Sequence, residues 1–174
     1  MTAVLRVAIL GAESTGKSTL AAALAARYDT AWVPEYLREF VATQARVPSE
    51  GGQVRIAQVQ LERERDAIAR ARRFLFCDTA PFMTALYSEV YWGRVDAELD
   101  ALANAHDYAL TLVAAPDGPW VADGLQRDSA AVRQQVHTAL IARLERQAIG
   151  FTLLSGSLEL RLLQAARVLE RGAA

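Results

Sequence analysis

The sequence is poor in cysteine and contains no long apolar run. Its one cysteine, Cys77, excludes a disulfide within the chain and fits a reducing compartment. Cys77 lies in an apolar segment, where we expect a buried small side chain rather than a reactive thiol. No window approaches the length of a membrane span. The apolar residues 3–10 are interrupted by Arg6 and do not form a signal peptide. We therefore expect a cytoplasmic protein that has no membrane partner.

Neither sign of charge is in excess. The 19 basic and 20 acidic residues give a formal net charge of -1, which disfavours a nucleic-acid partner. We expect a small-molecule ligand instead. With 174 residues, of which 52% are hydrophobic, the chain can bury the core of one domain, which we place at residues 1–174. The sequence does not indicate an oligomeric state.

Lysine is also nearly absent, and the single lysine, Lys17, lies in a recognisable motif. Residues 11–18 read Gly-Ala-Glu-Ser-Thr-Gly-Lys-Ser, which fits the pattern G-x-x-x-x-G-K-[ST]. The apolar residues 4–10 before it predict a buried strand, and the alanine-rich residues 18–27 after it predict a helix. This is the context of a P-loop, whose backbone N–H groups hold nucleotide phosphates at a helix N-terminus.

The residue types of the motif suit phosphates and a magnesium ion. Gly11 and Gly16 let the backbone turn at little steric cost. Lys17 is predicted to contact the outer phosphates, and the hydroxyl of Ser18 to ligate Mg²⁺. An ordinary glycine-containing turn is the alternative, and the Lys-Ser pair and both flanks argue against it. The predicted nucleotide-binding residues are Gly11, Glu13, Ser14, Thr15, Gly16, Lys17, Ser18 and Thr19.

Two carboxylates follow predicted strands. Glu35 comes after the short strand 30–33, and Asp78 ends the apolar strand 74–78. An aspartate in that position can hold the hydration shell of magnesium or accept a proton from the substrate. In P-loop kinases of small molecules, an acidic residue after the second strand faces the acceptor, which makes Glu35 a candidate base. The alternatives are a charge favoured by the helix dipole for Glu35 and a helix N-cap for Asp78.

The rest of the chain continues the alternation of strands and helices. This alternation predicts a three-layer α/β domain with a five-stranded parallel sheet and right-handed crossovers. Tyr87 and Tyr91 share one face of a predicted helix, where they form either core or a stack for a planar ring. The further predicted elements are helices at 35–41, 53–73, 82–93, 96–105, 129–147 and 158–170, strands at 108–113 and 151–154, and a turn at 156–157 near the expected adenine.

The segment 114–135 is rich in proline, glycine and aspartate and lies where α/β sheets bind ligands. We interpret it as a lid that closes over the substrate. Arg133 and Arg143 stand out in the helix that follows, and such arginines can neutralise charge on a phosphoryl group in transfer.

Taken together, the motifs resemble the nicotinamide riboside kinase domain of the bifunctional NadR-type proteins of NAD biosynthesis. The matching residues are the P-loop 11–19, Glu35-Tyr36-x-Arg38-Glu39, Asp78-Thr79 with Thr84, Tyr91 and Gly93, the segment Pro119 to Leu125, and Arg133. The resemblance implies a P-loop fold of the nucleoside and nucleotide kinase type. It also implies transfer of the γ-phosphoryl group of ATP to the 5′-hydroxyl of nicotinamide riboside with Mg²⁺, by a kinase domain that stands alone.

The resemblance also assigns roles to residues. Those expected to act in catalysis are Lys17, Glu35, Asp78, Arg127 and Arg133, with Ser18 and Asp78 on the metal. Those expected to bind the acceptor are Glu35, Tyr36, Arg38, Tyr87, Tyr91, Trp120 and Asp123. Either Glu35 or Asp78 takes the hydroxyl proton. Pro34 stands where the family has a tryptophan, with Trp32 two residues earlier, and Gln126 stands where the family has an arginine. A kinase of another nucleoside, a nucleotide sensor without turnover and a mechanical ATPase are the alternatives.

Overall fold

The computed structural model describes residues 3–122 and 129–171, and within these ranges five parallel strands form one sheet. The strand order is β2-β3-β1-β4-β5, so β1 lies at the centre between β3 and β4. The strands are β1 (Leu5–Leu10), β2 (Trp32–Val33), β3 (Phe74–Asp78), β4 (Leu110–Ala114) and β5 (Thr152–Leu154). The predicted five-stranded parallel sheet is confirmed.

Seven α-helices connect the strands and cover both faces of the sheet, counted over the same two ranges. Capping residues determine several of the helix ends. Asp96 accepts the N–H groups of Glu98 and Leu99, and Gly93 ends the preceding helix in a left-handed conformation. The helices are α1 (Lys17–Arg27), α2 (Tyr36–Gln44), α3 (Gln53–Ile68), α4 (Pro81–Trp92), α5 (Ala97–Asn104), α6 (Ala130–Arg146) and α7 (Leu158–Arg171).

The core is divided by the sheet into two main layers. Alternate residues of a strand point to opposite faces, so Val7 and Ile9 pack with α1 and α7, whereas Ala8 and Leu10 pack with α4 and α6. Because both faces are covered, β1 and β3 consist almost entirely of apolar side chains. The predicted three-layer arrangement is therefore correct.

Helix α3 is shorter than the sequence indicates, and its buried face is different. It ends at Ile68 rather than Arg73, and residues 69–73 lead the chain into β3 instead. The arginine- and alanine-rich end has good helix propensity, but it offers no large apolar side chain to the core. Gln60 and Glu64 lie on the buried face, whereas Ile68 is 40% exposed.

Two conspicuous side chains of the sequence belong to the core. Cys77 is completely buried in β3, as expected, and burial raises the pKa of its thiol. Trp32 packs, partly buried, against the core group that contains Phe74 and Phe76. None of the helices in the described ranges is both long and apolar enough to span a bilayer.

Candidate functional site

The P-loop joins the carboxyl end of β1 to the N-terminus of α1, and its backbone geometry requires both glycines. Gly11 has a φ of 152°, and a Cβ atom there would lie 2.9 Å from Thr15 Oγ1 and 3.0 Å from the carbonyl oxygen of Ala114. Gly16 has a φ of 82°, which is the left-handed conformation, directly before α1 begins. The loop therefore turns tightly and presents backbone N–H groups at the positive end of a helix.

Lys17 lies inside this loop. Its Nζ atom donates a hydrogen bond to the carbonyl oxygen of Ala12 at 2.9 Å, and Thr15 Oγ1 donates to the same oxygen at 2.7 Å. The side chain is therefore held over the backbone of residues 11–18, which we call the phosphate cradle. In this position Lys17 can exchange its contact with a carbonyl oxygen for a contact with a phosphate. A cavity of about 260 Å³ opens beside it, lined by residues 14–19 together with Arg38, Val121 and Ala122. Arg38, expected to bind the acceptor, thus lies on the wall of the phosphate cavity.

Ser18 and Asp78 meet beside the cradle. Ser18 Oγ donates a hydrogen bond of 2.5 Å to Asp78 Oδ2, and Asp78 is completely buried. The other carboxylate oxygen, Oδ1, is buried without a hydrogen-bond partner among the described residues. Helix α4 has Ala80 as its N-cap, with no side-chain cap, so Asp78 does not serve as the alternative cap. A buried carboxylate oxygen that lacks a donor, next to a hydroxyl, fits Mg²⁺ and its water shell.

The other ligands of such an ion would have to come from elsewhere. Over residues 3–122 and 129–171, no three histidine, cysteine, aspartate or glutamate side chains gather into a metal-binding group. Mg²⁺ normally keeps several waters and binds one or two protein oxygens together with substrate phosphates. The pair Ser18 and Asp78 therefore suits magnesium that arrives with a nucleotide better than a permanently bound metal.

Gln60 of α3 contacts the two segments that carry Glu35 and Asp78. Glu35 is the N-cap residue of α2, half-buried, and its side chain makes no capping hydrogen bond. The N–H of Tyr36 donates to Gln60 Oε1 at 2.9 Å, and Gln60 Nε2 donates to the carbonyl oxygen of Asp78 at 3.5 Å. One buried amide thus links the segments that carry the two predicted carboxylates. Gln60 was not among the predicted site residues, although it is a polar residue at the helical spacing of buried Ile56, Ala57 and Glu64.

Tyr87 joins α4 to the P-loop. Its hydroxyl oxygen accepts the N–H of Glu13 at 3.1 Å, and its ring stacks on Tyr91 with centroids 5.7 Å apart and an interplanar angle of 12°. Burial, and then the charges of Glu35 and Glu13, raise the pKa of Tyr87 well above its usual value. The predicted aromatic pair therefore lies near Glu35. Tyr36, also expected at the acceptor, has Arg63 over its ring at 4.6 Å.

Residues beyond β4 also reach the P-loop. The N–H of Val121 donates to Ser14 Oγ at 3.0 Å, which places Trp120 next to this contact, and Arg133 Nη1 donates to the carbonyl oxygen of Ser14 at 3.3 Å. Arg133 is thus close to the expected phosphates. Asp123 and Arg127, the other residues assigned to this segment, lie outside the described residues, and the lid at 114–135 stays a prediction.

The charge-neutralising role expected for Arg143 is wrong. Its guanidinium contacts Glu89 at 3.2 Å and Asp100 at 2.9 Å, so it ties α6 to α4 and α5. Arg143 lies ten residues after Arg133 on one helix, which is about 15 Å along the axis. An arginine that far along α6 cannot share the position of Arg133 at the P-loop.

A second cavity, of about 490 Å³, extends from the P-loop to the turn before α7. It is lined by residues 14–16 and 19, residues 117–119, and Gly156, Ser157, Leu158 and Arg161. Its position beside the phosphate cradle suits the base of a nucleotide, as the turn 156–157 suggested. Arg161 was missed in the sequence, although it stands at the helical spacing of buried Ala165 and Leu169, where a charged residue is unusual.

Comparisons with known proteins show the family to which the chain belongs. A family model described as an AAA domain matches residues 6–161. The chain belongs to this AAA-domain family. It is 32% identical over 150 residues to the trifunctional NAD biosynthesis/regulator protein NadR of Escherichia coli (strain K12), a match that covers 83% of this chain and 37% of that protein.

Solved structures of NadR share the fold of this AAA domain. One, in complex with NAD and AMP-PNP, has a TM-score of 0.80 and 18% identity, and it covers 98% of this chain and 50% of that chain. Another, in complex with NR, has a TM-score of 0.80 and 19% identity, with coverages of 98% and 51%. The chain therefore spans about a third to a half of the length of these relatives. The resemblance to NadR and the predicted P-loop fold are confirmed.

Proposed function

We propose that this chain is an ATP-dependent kinase that transfers the γ-phosphoryl group of ATP to the 5′-hydroxyl of nicotinamide riboside, giving nicotinamide mononucleotide. The observation that carries the proposal is the contact of P-loop Ser18 with buried Asp78, beside a cavity of about 260 Å³ that the P-loop lines. The similarity to NadR, whose structures contain AMP-PNP and NR, supports the choice of donor and acceptor.

The donor side follows from the cradle. Backbone N–H groups of the P-loop and Lys17 would hold the β- and γ-phosphates. Mg²⁺, held by Ser18 and through water by Asp78, would supply charge neutralisation of the phosphate oxygens. Arg133, which contacts Ser14 of the loop, is placed to stabilise charge that develops on the transferred group. Arg38, on the wall of the same cavity, is a second candidate for this task.

The acceptor side requires one carboxylate to orient the hydroxyl and accept its proton. We assign this task first to Glu35, because Asp78 already accepts a hydrogen bond from Ser18. Gln60 contacts both segments and would hold them at a fixed separation, which an in-line approach of the hydroxyl oxygen requires. Tyr91, stacked on Tyr87 and 47% exposed, offers an aromatic surface for a pyridine ring.

The direct test is an incubation of the purified protein with Mg-ATP and a panel of ribosides, followed by mass analysis of the products. Phosphorylation of nicotinamide riboside, with ADP released in equal amount, is the expected outcome. Phosphorylation of a different nucleoside would assign the site to another acceptor. Binding of ATP without release of ADP that depends on an acceptor would indicate a nucleotide sensor and would refute the proposal.

A further inference from the structure

Arg161 connects three separate segments of the chain at the wall of the second cavity. Its Nη1 atom donates to the carbonyl oxygen of Thr15 in the P-loop at 2.5 Å, and Nη2 donates to the carbonyl oxygen of Ala115, after β4, at 2.9 Å. Its Nε atom donates to the carbonyl oxygen of Gly156, before α7, at 3.0 Å. Only 7% of the side chain is exposed, so these contacts are made away from bulk water.

Asp117 forms an ion pair with Arg161. One carboxylate oxygen accepts from Arg161 Nη2, and the other accepts the N–H of Gly156 at 2.6 Å. Burial alone would raise the pKa of Asp117, but the Gly156 N–H and the charge of Arg161 lower it overall. The carboxylate is therefore ionised at neutral pH and compensates the buried guanidinium. The pair fixes the loop after β4 against the turn before α7, and both segments line the cavity.

The guanidinium suits this position because of its shape. Its donors form a planar fork, which can satisfy several carbonyl oxygens and a carboxylate at the same time. The contact with Thr15 matters most, because Thr15 lies between two residues of the P-loop that have positive φ angles, Ser14 at 54° and Gly16 at 82°. A shift of Arg161 would therefore move the phosphate cradle and the second cavity, which we call the base cavity, relative to each other.

We propose that Arg161 is a positioning residue that holds the base cavity in register with the phosphate cradle, so that one nucleotide can occupy both. The inference rests on the proposed use of ATP, but it does not depend on the identity of the acceptor. As a consequence, ATP should bind more tightly than its triphosphate part alone, and Arg161 should contribute to this difference in affinity. The two parts of the ligand would otherwise bind to sites that are not matched in distance or orientation.

The chain offers a matched control in Arg143. It is also a buried arginine that ties segments together through carboxylates, and its side chain is 5% exposed, but its partners Glu89 and Asp100 do not line either cavity. The experiment compares Arg161→Lys and Arg161→Gln with Arg143→Lys and Arg143→Gln. Titration calorimetry, without acceptor, measures the dissociation constants of Mg-ATP and of inorganic tripolyphosphate, and thermal unfolding measures the stability of each variant.

Arg161→Gln is expected to weaken Mg-ATP binding by about tenfold or more, because the base cavity and the phosphate cradle would no longer be held at a matched distance and orientation. Tripolyphosphate binding should change much less, so that the advantage of ATP over tripolyphosphate decreases. Arg161→Lys should lose less affinity, because the ammonium keeps the ion pair with Asp117. Both Arg143 variants should lower the melting temperature and leave the Mg-ATP affinity of the folded protein within about twofold.

The inference is wrong if the Arg161 variants lose only melting temperature, as the Arg143 variants should, and keep wild-type affinity for Mg-ATP. It is also wrong if ATP and tripolyphosphate lose affinity equally, since Arg161 would then shape the cradle alone. A wild-type protein that does not bind Mg-ATP would instead refute the proposed function, and with it this inference. Because the titration contains no riboside, a different acceptor leaves the result unaffected.

Discussion

Lys17, Ser18 and Asp78 are the three side chains on which the proposed donor side of the site depends. Lys17 and Ser18 follow from the spacing of the motif, and the buried contact between Ser18 and Asp78 is the structural feature that joins the P-loop to β3. Their roles depend on charge and position rather than on contributions to the core. Substitutions at these residues should therefore affect the chemistry much more than the fold.

Lys17→Ala is expected to reduce phosphoryl transfer by roughly 10³-fold or more, because the variant lacks the cation that the outer phosphates would contact. The ammonium is buried and bonded to the carbonyl oxygen of Ala12 alone among the contacts found in the described residues, so its loss should change stability little. A coupled assay of ADP release and a thermal melt provide the two readouts. Activity retained in this variant would contradict the phosphate role of Lys17.

Glu35→Gln is expected to lower kcat strongly while the dissociation constant of Mg-ATP stays within about twofold, because an amide cannot accept the hydroxyl proton and Glu35 lies on the acceptor side. Asp78→Asn should weaken the response to Mg²⁺ in addition, since Asp78 contacts Ser18. Steady-state kinetics at several Mg²⁺ concentrations distinguish the two. A near-normal kcat in Glu35→Gln would transfer the role of base to Asp78.

Several residues of the site could be predicted from the sequence and others could not. The P-loop and Asp78 follow from local spacing and from the strand that precedes each of them. Gln60 and Arg161 are buried polar residues on helices that are distant in sequence from the P-loop, and their roles depend on which backbone carbonyls and N–H groups the fold brings to them. Both could have been identified from the sequence as polar residues at helix positions where the spacing predicts a buried side chain.

At the scale of elements, α4 and the loop before α1 are connected by Tyr87. The N–H of Glu13 donates to its hydroxyl, and α4 also carries Tyr91, which stacks on Tyr87. Sequence spacing predicted that the two tyrosines share a face, but it could not show that one of them contacts the P-loop. The C-terminal end of α3 was predicted too late for a related reason, because helix propensity does not show where a helix stops packing against the core.

Tyr87→Phe is expected to destabilise the protein by about 0.5–1.5 kcal/mol and to weaken Mg-ATP binding, because a partly buried N–H of the P-loop loses its acceptor. Tyr28→Phe is the matched control, since the Tyr28 hydroxyl is buried without a hydrogen-bond partner in the described part of the chain. Denaturant unfolding and ATP titration of both variants make the comparison. Equal stability of the two would exclude a role for the Tyr87 hydroxyl in holding the loop.

His106, just before β4, gives the fold a dependence on pH. Burial, and then the charge of Arg6, lower its pKa from 6.5 to about 4. Between these values the unfolded chain binds a proton that the folded chain does not, so stability should fall as the pH falls from about 6.5 to about 4. His106→Gln should flatten this part of the profile, measured as melting temperature against pH. Parallel profiles for the two proteins would show that His106 does not contribute to the pH dependence of stability.

For the whole molecule, the alternation of strands and helices was sufficient to predict the layers and the parallel sheet. Strand order brings the ends of β1 and β3 together, and this is why Ser18 and Asp78 meet although sixty residues separate them. The same topology carries residues 115–121 and α7 to the other side of the P-loop. The account therefore predicts a donor nucleotide on one side of the loop and an acceptor on the other.

The proposed function is tested most directly by a crystal structure of the protein with AMP-PNP, Mg²⁺ and nicotinamide riboside bound together. We expect the triphosphate in the P-loop, the metal beside Ser18 and Asp78, and the 5′-hydroxyl within hydrogen-bond distance of Glu35 or Asp78, in line with the γ-phosphorus. A riboside whose 5′-hydroxyl lies far from both carboxylates, while the nucleotide occupies the P-loop, would contradict it.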